Sequence, residues 1–239
     1  MVACQCHVCT SPHTKDKRLR SSIMVRSSTT TIIVDATPDF RQQMLREKVT
    51  EIDAILITHP HKDHIGGLDD TKAFQYFQGR PTRIYGNKIS LEGVKNELPY
   101  AFDGTDYPGL PSFNLHEIGT EPFFIGDISI QPIQAWHHRM PVLGYRFGRH
   151  FTYITDANRI DEAEKEKIRG SDILVLNTLR KEPHISHFTL QEAIDLSREL
   201  KIPKQYFTHI SHQLGRHDAV NSELPIGMEL AWDGLVVAV

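Results

Sequence analysis

A short run in the first third of the chain carries four side chains that can bind metal ions. His59, His61, Asp63 and His64 fall within six residues, just before the glycine pair at 66–67. In an extended segment residues 59 and 61 project to the same side, so both can bind one ion. Asp63 and His64 lie beyond the turn, where they can face a second ion. The run therefore predicts half of a two-metal site, and the other ligands must come from elsewhere in the chain.

The composition is that of an ordinary globular protein and excludes several classes of function. With 239 residues, 39% of them hydrophobic, the chain can form one large domain over residues 1–239. The net charge of −3 gives no general attraction to nucleic acid or to an anionic membrane. No apolar run reaches the roughly 18 residues of a membrane span, and no signal-peptide stretch opens the sequence. We therefore expect a cytoplasmic protein with no membrane partner.

Short β-rich runs alternate with helical patterns, which indicates an α/β fold. Strands are predicted at residues 29–35, 52–58, 128–135, 144–147, 151–155, 172–177 and 205–208, with one or two closing strands at 226–239. Helices are predicted at residues 38–46, 70–77, 89–96 and 189–200, the last with a capping box formed by Thr189 and Glu192. Several histidines and aspartates follow the ends of apolar strands, where loops on a rigid sheet can build a site.

Four motifs, in the same order along the chain, resemble those of the metallo-β-lactamase superfamily. The run at 59–64 resembles its signature, and residues 151–156 (FTYITD) resemble the strand that ends in a bridging aspartate. Residues 136–138 (WHH), followed by 141–145 (PVLGY), resemble the segment with another metal-binding histidine, and residues 208–212 (THISH) resemble the last ligand motif. The resemblance covers nearly the whole chain and implies the αββα four-layer sandwich of that superfamily, with two catalytic divalent metal ions.

The resemblance also implies which residue binds which ion. The first ion would take His59, His61 and His137, the second would take Asp63, His64 and His209, and Asp156 would bridge them. His137 and His138 are adjacent, so either can be the ligand, although the spacing of His137 to Pro141 and Gly144 fits related sequences better. Zinc, manganese and iron all accept histidine and aspartate ligands, so the identity of the two ions stays open.

A cysteine cluster at the N-terminus matches one branch of the superfamily. Three closely spaced cysteines are a poor disulfide framework. Cys4, Cys6 and Cys9, together with His212, are instead similar to the structural zinc site of the phosphoribosyl cyclic phosphodiesterase branch of the carbon–phosphorus lyase pathway, which is related to tRNase Z. Three thiolates and one imidazole make a closed tetrahedral zinc site. Relatives begin with a β-strand before these cysteines, and this strand is apparently missing here, either because the protein lacks it or because the sequence starts too late.

The same branch implies residues that act beside the metal ligands. His187 matches a catalytic histidine and is the expected proton donor for the leaving alkoxide, with His184 as the nearby alternative. Asp63 is also expected to be catalytic, in addition to its place among the metal ligands. Asp35 matches an aspartate that orients a metal-binding histidine. The candidates for binding the phosphate of a substrate lie near the matched motifs and are Arg180, Lys181, Ser186 and Ser211.

These expectations favour a phosphodiesterase that cleaves small or cyclic phosphodiesters through a hydroxide activated by two metal ions. A tRNase Z-like nuclease is the first alternative, but the sequence has no basic excess for a large RNA. An ester, lactone or β-lactam hydrolase is the second, and a non-catalytic binding protein on the same fold is the third. We expect a small phosphodiester as the partner rather than nucleic acid. A homodimer would fit by analogy with the superfamily.

Overall fold

The computed structural model describes residues 1–104 and 107–239, which divide into two compact units. The central unit comprises Arg20–Ile130, and the terminal unit comprises Met1–Leu19 together with Gln131–Val239. Each unit has its own apolar core. Among the described residues, no helix is long and apolar enough to cross a membrane.

A five-stranded sheet is the framework of the central unit. Its strands lie side by side in sequence order: β1 (Ile23–Arg26), β2 (Thr31–Val34), β3 (Ala54–Leu56), β4 (Thr82–Gly86) and β5 (Phe113–Glu117). β1 is antiparallel to β2, and the strands from β2 to β5 are parallel. The helices are α1 (Phe40–Arg46), α2 (Lys62–Ile65), α3 (Lys72–Gln78) and α4 (Lys88–Glu97), with 3-10 turns at Leu68–Thr71 and Pro99–Ala101.

The parallel order of this sheet puts Asp35 and the segment leading to His59 at the same edge. Asp35 directly follows β2, and the segment leading to His59 follows β3, its parallel neighbour. Ile33, Ile55 and Ile84 come from three adjacent strands and are fully buried in the core of this unit. Burying one such side chain stabilises a fold by roughly 1.5–3 kcal/mol, so the strand ends are held by a rigid base.

Gly67 allows the end of α2 to approach the segment after β2. A β-carbon at this position would lie only 1.9 Å from the carbonyl oxygen of Thr37, so no other residue fits without movement of the backbone. The amide of Gly67 donates to the carbonyl of Ala36 at 2.8 Å. Gly67 therefore permits a tight turn of the backbone, which fixes α2 next to Asp35.

A seven-stranded sheet provides the framework of the terminal unit, and the last five strands of this sheet in sequence order lie wholly within the unit. In sequence order the strands are β6 (Phe123–Ile125), β7 (Ile128–His137), β8 (Met140–Phe147), β9 (Phe151–Ile154), β10 (Ile173–Asn177), β11 (Lys204–Thr208) and β12 (Met228–Leu230). Their spatial order is β12-β11-β10-β9-β8-β7-β6, and β9 to β12 are parallel. The helices are α5 (Glu162–Ile168), α6 (Leu190–Glu199) and α7 (His217–Asn221), with a 3-10 turn at Thr14–Asp16.

Helix α6 begins at the capping box that the sequence predicts. The hydroxyl of Thr189 accepts from the amide of Glu192, and the carboxylate of Glu192 accepts from the amide of Thr189 at 2.8 Å. This reciprocal pair satisfies two backbone donors that a helix start leaves without partners. It fixes the point at which the loop containing His187 joins the helix.

Most predicted elements are confirmed with shifted ends, and the closing segment is the main correction. Instead of one or two strands over residues 226–239, only Met228–Leu230 is a strand. Gly227 and Gly234 have positive φ values of 86° and 87°, which interrupt an extended chain on both sides of it. Strands β1, β4, β5 and β6 were not predicted, because each is short and has at least two residues that are not buried, so the hydrophobic pattern is weak. Helices α2, α5 and α7 were also missed, because they are short and each buries at most two residues.

A buried histidine joins three distant parts of the terminal unit. His217, only 1% exposed, accepts at Nδ1 from the Arg18 guanidinium at 3.1 Å, and its amide donates to Asp16 at 2.7 Å. Its ring also packs edge-on against Trp232. Burial, together with the charges of Arg18 and Lys15, lowers the pKa of His217 to about 4. The imidazole is therefore neutral near pH 7 and accepts, rather than donates, the bond from Arg18.

This histidine predicts a loss of stability in mild acid. Between pH 6.5, its ordinary pKa, and pH 4 the unfolded chain binds the proton and the folded chain does not, so stability falls as the pH falls. We expect the free energy of unfolding to drop by up to about 1.4 kcal/mol per pH unit in this window because of His217. Urea titrations from pH 7 downwards should give a shallower pH dependence for His217→Asn. The exposed control His7→Asn should follow the wild type, and equal slopes for all three proteins would contradict the prediction.

Candidate metal centre

Asp35 organises the histidines of the central unit through a chain of buried hydrogen bonds. Its two carboxylate oxygens accept from the amide and the hydroxyl of Thr58, both at 2.8 Å, and from Nδ1 of His64 at 2.7 Å. Because the Thr58 hydroxyl donates to Asp35, it must accept from Nδ1 of His59, which lies 3.0 Å away. Both imidazoles are thereby held in the tautomer that has its lone pair at Nε2, the form required of a metal ligand.

The position of Asp35 is costly for the fold. The residue is fully buried, and burial raises the pKa of its carboxyl group, against which the bonds from His64 and Thr58 act. Its backbone has φ 64°, in the left-handed region that non-glycine residues rarely adopt. Such strain persists where the surrounding structure holds the residue for a functional reason. The predicted role of Asp35 in orienting a histidine therefore extends to two histidines.

The run at 59–64 forms two neighbouring ligand pairs. Nε2 of His59 lies 3.0 Å from Nδ1 of His61, close enough for both nitrogens to reach one ion at bond lengths of about 2.0–2.1 Å. Asp63 and His64 lie together in α2, with 3.6 Å between a carboxylate oxygen and Nε2. The structure therefore brings together His59 with His61 and Asp63 with His64, the two pairs that the sequence analysis assigns to separate ions. His59 and His64 are buried, and His61 is exposed.

The terminal unit gathers a second cluster at the carboxyl ends of its parallel strands. Asp156 follows β9, and His209 follows β11; its Nε2 lies 3.1 Å from a carboxylate oxygen of Asp156. Both residues have positive φ, 54° and 53°. Between these strands, the Asn177 side chain at the end of β10 accepts from the amide of Ala157 at 2.8 Å and donates to its carbonyl at 3.0 Å.

Asn177 is a supporting residue that the sequence did not indicate. Its paired bonds to Ala157 hold the backbone that follows Asp156 and so fix the direction of that carboxylate. The available signal was a polar residue at the end of a wholly apolar strand, since every residue of β10 is buried. A buried amide needs partners for its donor and acceptor atoms, and here both are supplied by one backbone unit.

The structure places His137, rather than His138, in the cluster with Asp156. His137 is buried, and its Nδ1 donates to the carbonyl of Ser186 at 2.9 Å, which leaves its lone pair at Nε2. Its ring lies 4.7 Å from that of His187, in the same cluster as Asp156. His138 is exposed and has φ 57°, so the backbone turns at this residue, and His138 is not among the clustered metal-binding side chains of the described residues.

His187 lies at the centre of the terminal-unit cluster. Its ring stacks on His209 at 4.9 Å and lies 4.9 Å from His184. Its Nδ1 is buried without a hydrogen-bond partner among the described residues and is 4.0 Å from Asp156. Burial lowers the pKa of His187 to about 3, although the charge of Asp156 opposes this shift. The residue is therefore a neutral imidazole with an unfilled polar atom facing the cluster.

The three cysteines and His212 converge within the terminal unit as predicted. Their Sγ and Nδ1 atoms all lie within 4.8 Å of one another, and Nδ1 of His212 is 3.4 Å from Cys4 and 3.3 Å from Cys6. These separations fit four ligands around one zinc ion, with Zn–S of about 2.3 Å and Zn–N of about 2.0 Å. The amide of Cys9, and then His212, lower the pKa of the Cys6 thiol to about 6, which favours the thiolate that zinc requires.

The candidate phosphate-binding residues differ in their surroundings. Lys181 is exposed and pairs with Glu223 at 3.1 Å, and the Ser211 hydroxyl accepts from the amide of Gln213 in a turn. Arg180 donates to the carbonyls of Glu182 and Pro183 and thus shapes the loop before His187. The structure gives Lys181 and Ser211 ordinary surface roles, whereas the carbonyl of Ser186 accepts from His137 at 2.9 Å and so borders the histidine cluster.

Comparison with known proteins identifies the fold and the family. A model of the beta-lactamase superfamily domain matches residues 30–210. The crystal structure of a new diphosphatase from the PhnP family superimposes with a TM-score of 0.90 and 38% identity, covering 98% of this chain and 90% of that one. At this similarity the two proteins share the metallo-β-lactamase fold, which belongs to the α/β class. Proteins of this fold bind divalent metals, in agreement with the histidine and aspartate clusters described above.

Two curated relatives broaden the comparison. An octanoyltransferase of Porphyromonas gingivalis is 35% identical over 237 residues, 98% of this chain, which spans only 48% of that protein. A ribonuclease Z of Thermococcus kodakarensis is 30% identical over 152 residues, or 62% of this chain and 45% of that protein. The matched family region includes every predicted ligand from His59 to His209. This chain therefore belongs to the beta-lactamase superfamily and, within it, to the PhnP family.

Proposed function

We propose that this protein is a metal-dependent hydrolase of small phosphodiesters. The observation that carries the proposal is the fixed tautomer of three histidines: bonds from His59, His64 and His137 through Nδ1 leave all three lone pairs at Nε2. A surface histidine has no such constraint, whereas a metal-binding one almost always does. Nitrogen and carboxylate donors of this kind suit zinc, manganese or iron.

We infer the ligand assignment that the family resemblance implies, with one ion held by His59, His61 and His137, a second by Asp63, His64 and His209, and Asp156 shared. Bound divalent ions would supply positive charge for a phosphoryl oxygen and would make water acidic enough to serve as the nucleophile at neutral pH. The cysteine cluster would hold a third, structural zinc, which gives about three ions per chain.

The residues of this chain then have distinct tasks around a bound phosphodiester. The hydroxyl of Thr155 donates to Asp156 at 2.8 Å and keeps that carboxylate directed. Asp63, with 45% of its side chain exposed, can accept a proton from attacking water. His187, shielded from water, would give a proton to the leaving alkoxide. The negative charge of a bound substrate would raise its low pKa and favour the protonated form that this step requires.

A second candidate reaction is the cleavage of a diphosphate. It is favoured by the 38% identical relative that is described as a diphosphatase. The chemistry needs the same groups, because the attacked phosphorus again loses one leaving group through an oxygen atom. In a diphosphate this leaving group is a phosphate instead of an alkoxide. The ribonuclease Z relative favours a phosphodiester as well, but the net charge of −3 gives no broad basic surface for a large RNA. We do not carry octanoyl transfer over to this chain, since the chain spans only 48% of that relative.

Asp156 should be essential for hydrolysis. We expect Asp156→Asn to abolish cleavage of bis(p-nitrophenyl) phosphate and to lower the content of bound metal, because one shared anionic ligand is lost while the side-chain volume is kept. Elemental analysis and initial rates measure the two effects. His138→Asn is the matched control and should retain activity, since His138 lies outside the cluster. Full activity of Asp156→Asn would refute the shared-ligand assignment.

His187 should act on the leaving group. We expect His187→Ala to slow hydrolysis of aryl phosphodiesters with poor leaving groups by roughly 10²–10⁴-fold, the usual contribution of a general acid. The loss should shrink as the pKa of the leaving phenol falls, because a good leaving group needs no proton. Rates with a series of substituted phenyl esters test this directly. An equal loss across the series would rule out proton donation.

The cysteine cluster should hold zinc independently of hydrolysis. We expect Cys6→Ser to lose about one zinc ion per chain, with a lower melting temperature, while the zinc or manganese bound by the histidines remains. Elemental analysis of protein purified without chelator gives the stoichiometry. Ser11→Ala, on the same N-terminal segment, is a control that should keep all ions. Unchanged zinc content in Cys6→Ser would argue against this site.

A further inference from the structure

The loop at residues 180–187, here called the Arg180 loop, is held rigidly beside the histidine cluster. The guanidinium of Arg180 donates to the carbonyls of Glu182 at 3.2 Å and Pro183 at 2.8 Å, and to the side-chain oxygen of Gln213 at 3.0 Å. Farther along, the Asn158 amide donates to the carbonyl of Ile185 at 3.1 Å. The loop therefore presents its side chains in a fixed arrangement, as a binding site requires.

Arg180 keeps an unneutralised positive charge in this loop. All three of its acceptors are neutral oxygens, and Arg180 forms no ion pair within residues 1–104 and 107–239. The neighbouring Lys181 differs, because its ammonium group is paired with Glu223. A partly buried guanidinium without a carboxylate partner attracts an anion from solution. Of these two adjacent cations, Arg180 is therefore the one whose charge is available to an anionic ligand.

His184 adds a directed hydrogen-bond donor next to this charge. Its Nδ1 accepts from the amide of Ser186 at 3.3 Å, so the neutral ring must have its proton at Nε2. Its ring lies 4.9 Å from that of His187 and is only partly exposed. Burial and the charge of Arg180 lower the pKa of His184, which keeps the ring in this neutral form. Two imidazoles thus stand side by side, one deep in the cluster and one toward solvent.

We propose that His184 and Arg180 bind a second phosphoryl group next to the one that is cleaved, and so determine how well the protein uses substituted diphosphates, its second candidate substrate class, relative to phosphodiesters with one phosphoryl group. The inference rests on the proposed function, because His187 marks the phosphoryl group under attack. Neighbouring phosphoryl groups share one oxygen, and their outer oxygens are separated by a distance of the same order as the 4.9 Å between the two rings. His184 and Arg180 are therefore specificity-determining residues, while His187 serves either substrate class.

The test compares substrates that have one and two phosphoryl groups. The metal-loaded protein is assayed with the p-nitrophenyl ester of thymidine 5′-phosphate and with ADP-ribose. His184→Asn keeps an acceptor for the Ser186 amide but loses the N–H donor at Nε2 of the imidazole. We expect kcat/KM for ADP-ribose to fall about tenfold more than kcat/KM for the one-phosphoryl ester, chiefly through KM, since a hydrogen bond to a charged group is lost. His184→Gln, whose amide nitrogen lies near the former Nε2, should restore much of the difference.

Controls and a binding measurement separate this inference from the proposed function. Ile185→Ala and Lys181→Ala change the same loop without removing the donor or the unpaired cation, and both should keep the wild-type ratio between substrates. By calorimetry, His184→Asn and Arg180→Gln should weaken α,β-methylene-ADP about tenfold relative to AMP. Binding decides the inference even if the wild type hydrolyses neither substrate, a result that would refute only the proposed function. Equal losses of affinity for α,β-methylene-ADP and AMP would overturn the role of His184. An unchanged ratio between the kcat/KM values of the two substrates would do the same.

Discussion

The buried carboxylate of Asp35 is the interaction on which the central unit's chemistry depends. It accepts three hydrogen bonds, from the Thr58 amide, the Thr58 hydroxyl and His64, and through Thr58 it also sets the state of His59. A buried charge is expensive unless it is fully hydrogen-bonded, and here the bonds that satisfy it are those that orient two histidines. The parallel neighbours β2 and β3 make this possible, because their carboxyl ends bring Asp35 and Thr58 together across 23 residues of sequence.

The terminal unit solves the same problem with backbone groups. The carbonyl of Ser186 fixes the tautomer of His137, and Asn177 braces the backbone after Asp156. Asp156 and His209 both adopt left-handed backbone conformations at strand ends, where a normal continuation of the strand would direct the side chains elsewhere. The two units thus use different partners to reach the same result, lone pairs of histidine nitrogen that are held in fixed directions.

Two loops of the terminal unit stabilise the surroundings of this cluster. The cysteine cluster ties the N-terminal segment to His212, three residues after His209, so zinc bound there would restrict the segment that carries a catalytic ligand. The Arg180 loop does the same on the side of His187, through hydrogen bonds of a guanidinium to loop carbonyls. Hydrolysis and substrate choice would therefore depend on neighbouring but separate groups, His187 for the reaction and His184 for the second phosphoryl group.

The sequence by itself determined the kinds of candidate ligand, their order and most of the strands that precede them. Apolar runs such as β3 and β10 are wholly buried, so their composition alone predicts them, whereas the partly exposed β1 and the charged α5 have no comparable signal. The tertiary structure decided which nitrogen of His59, His64 and His137 is available, that His137 rather than His138 lies in the cluster, and that Asn177 braces the backbone after Asp156. These features depend on hydrogen bonds between residues far apart in the chain, and no local pattern of residue types records such contacts.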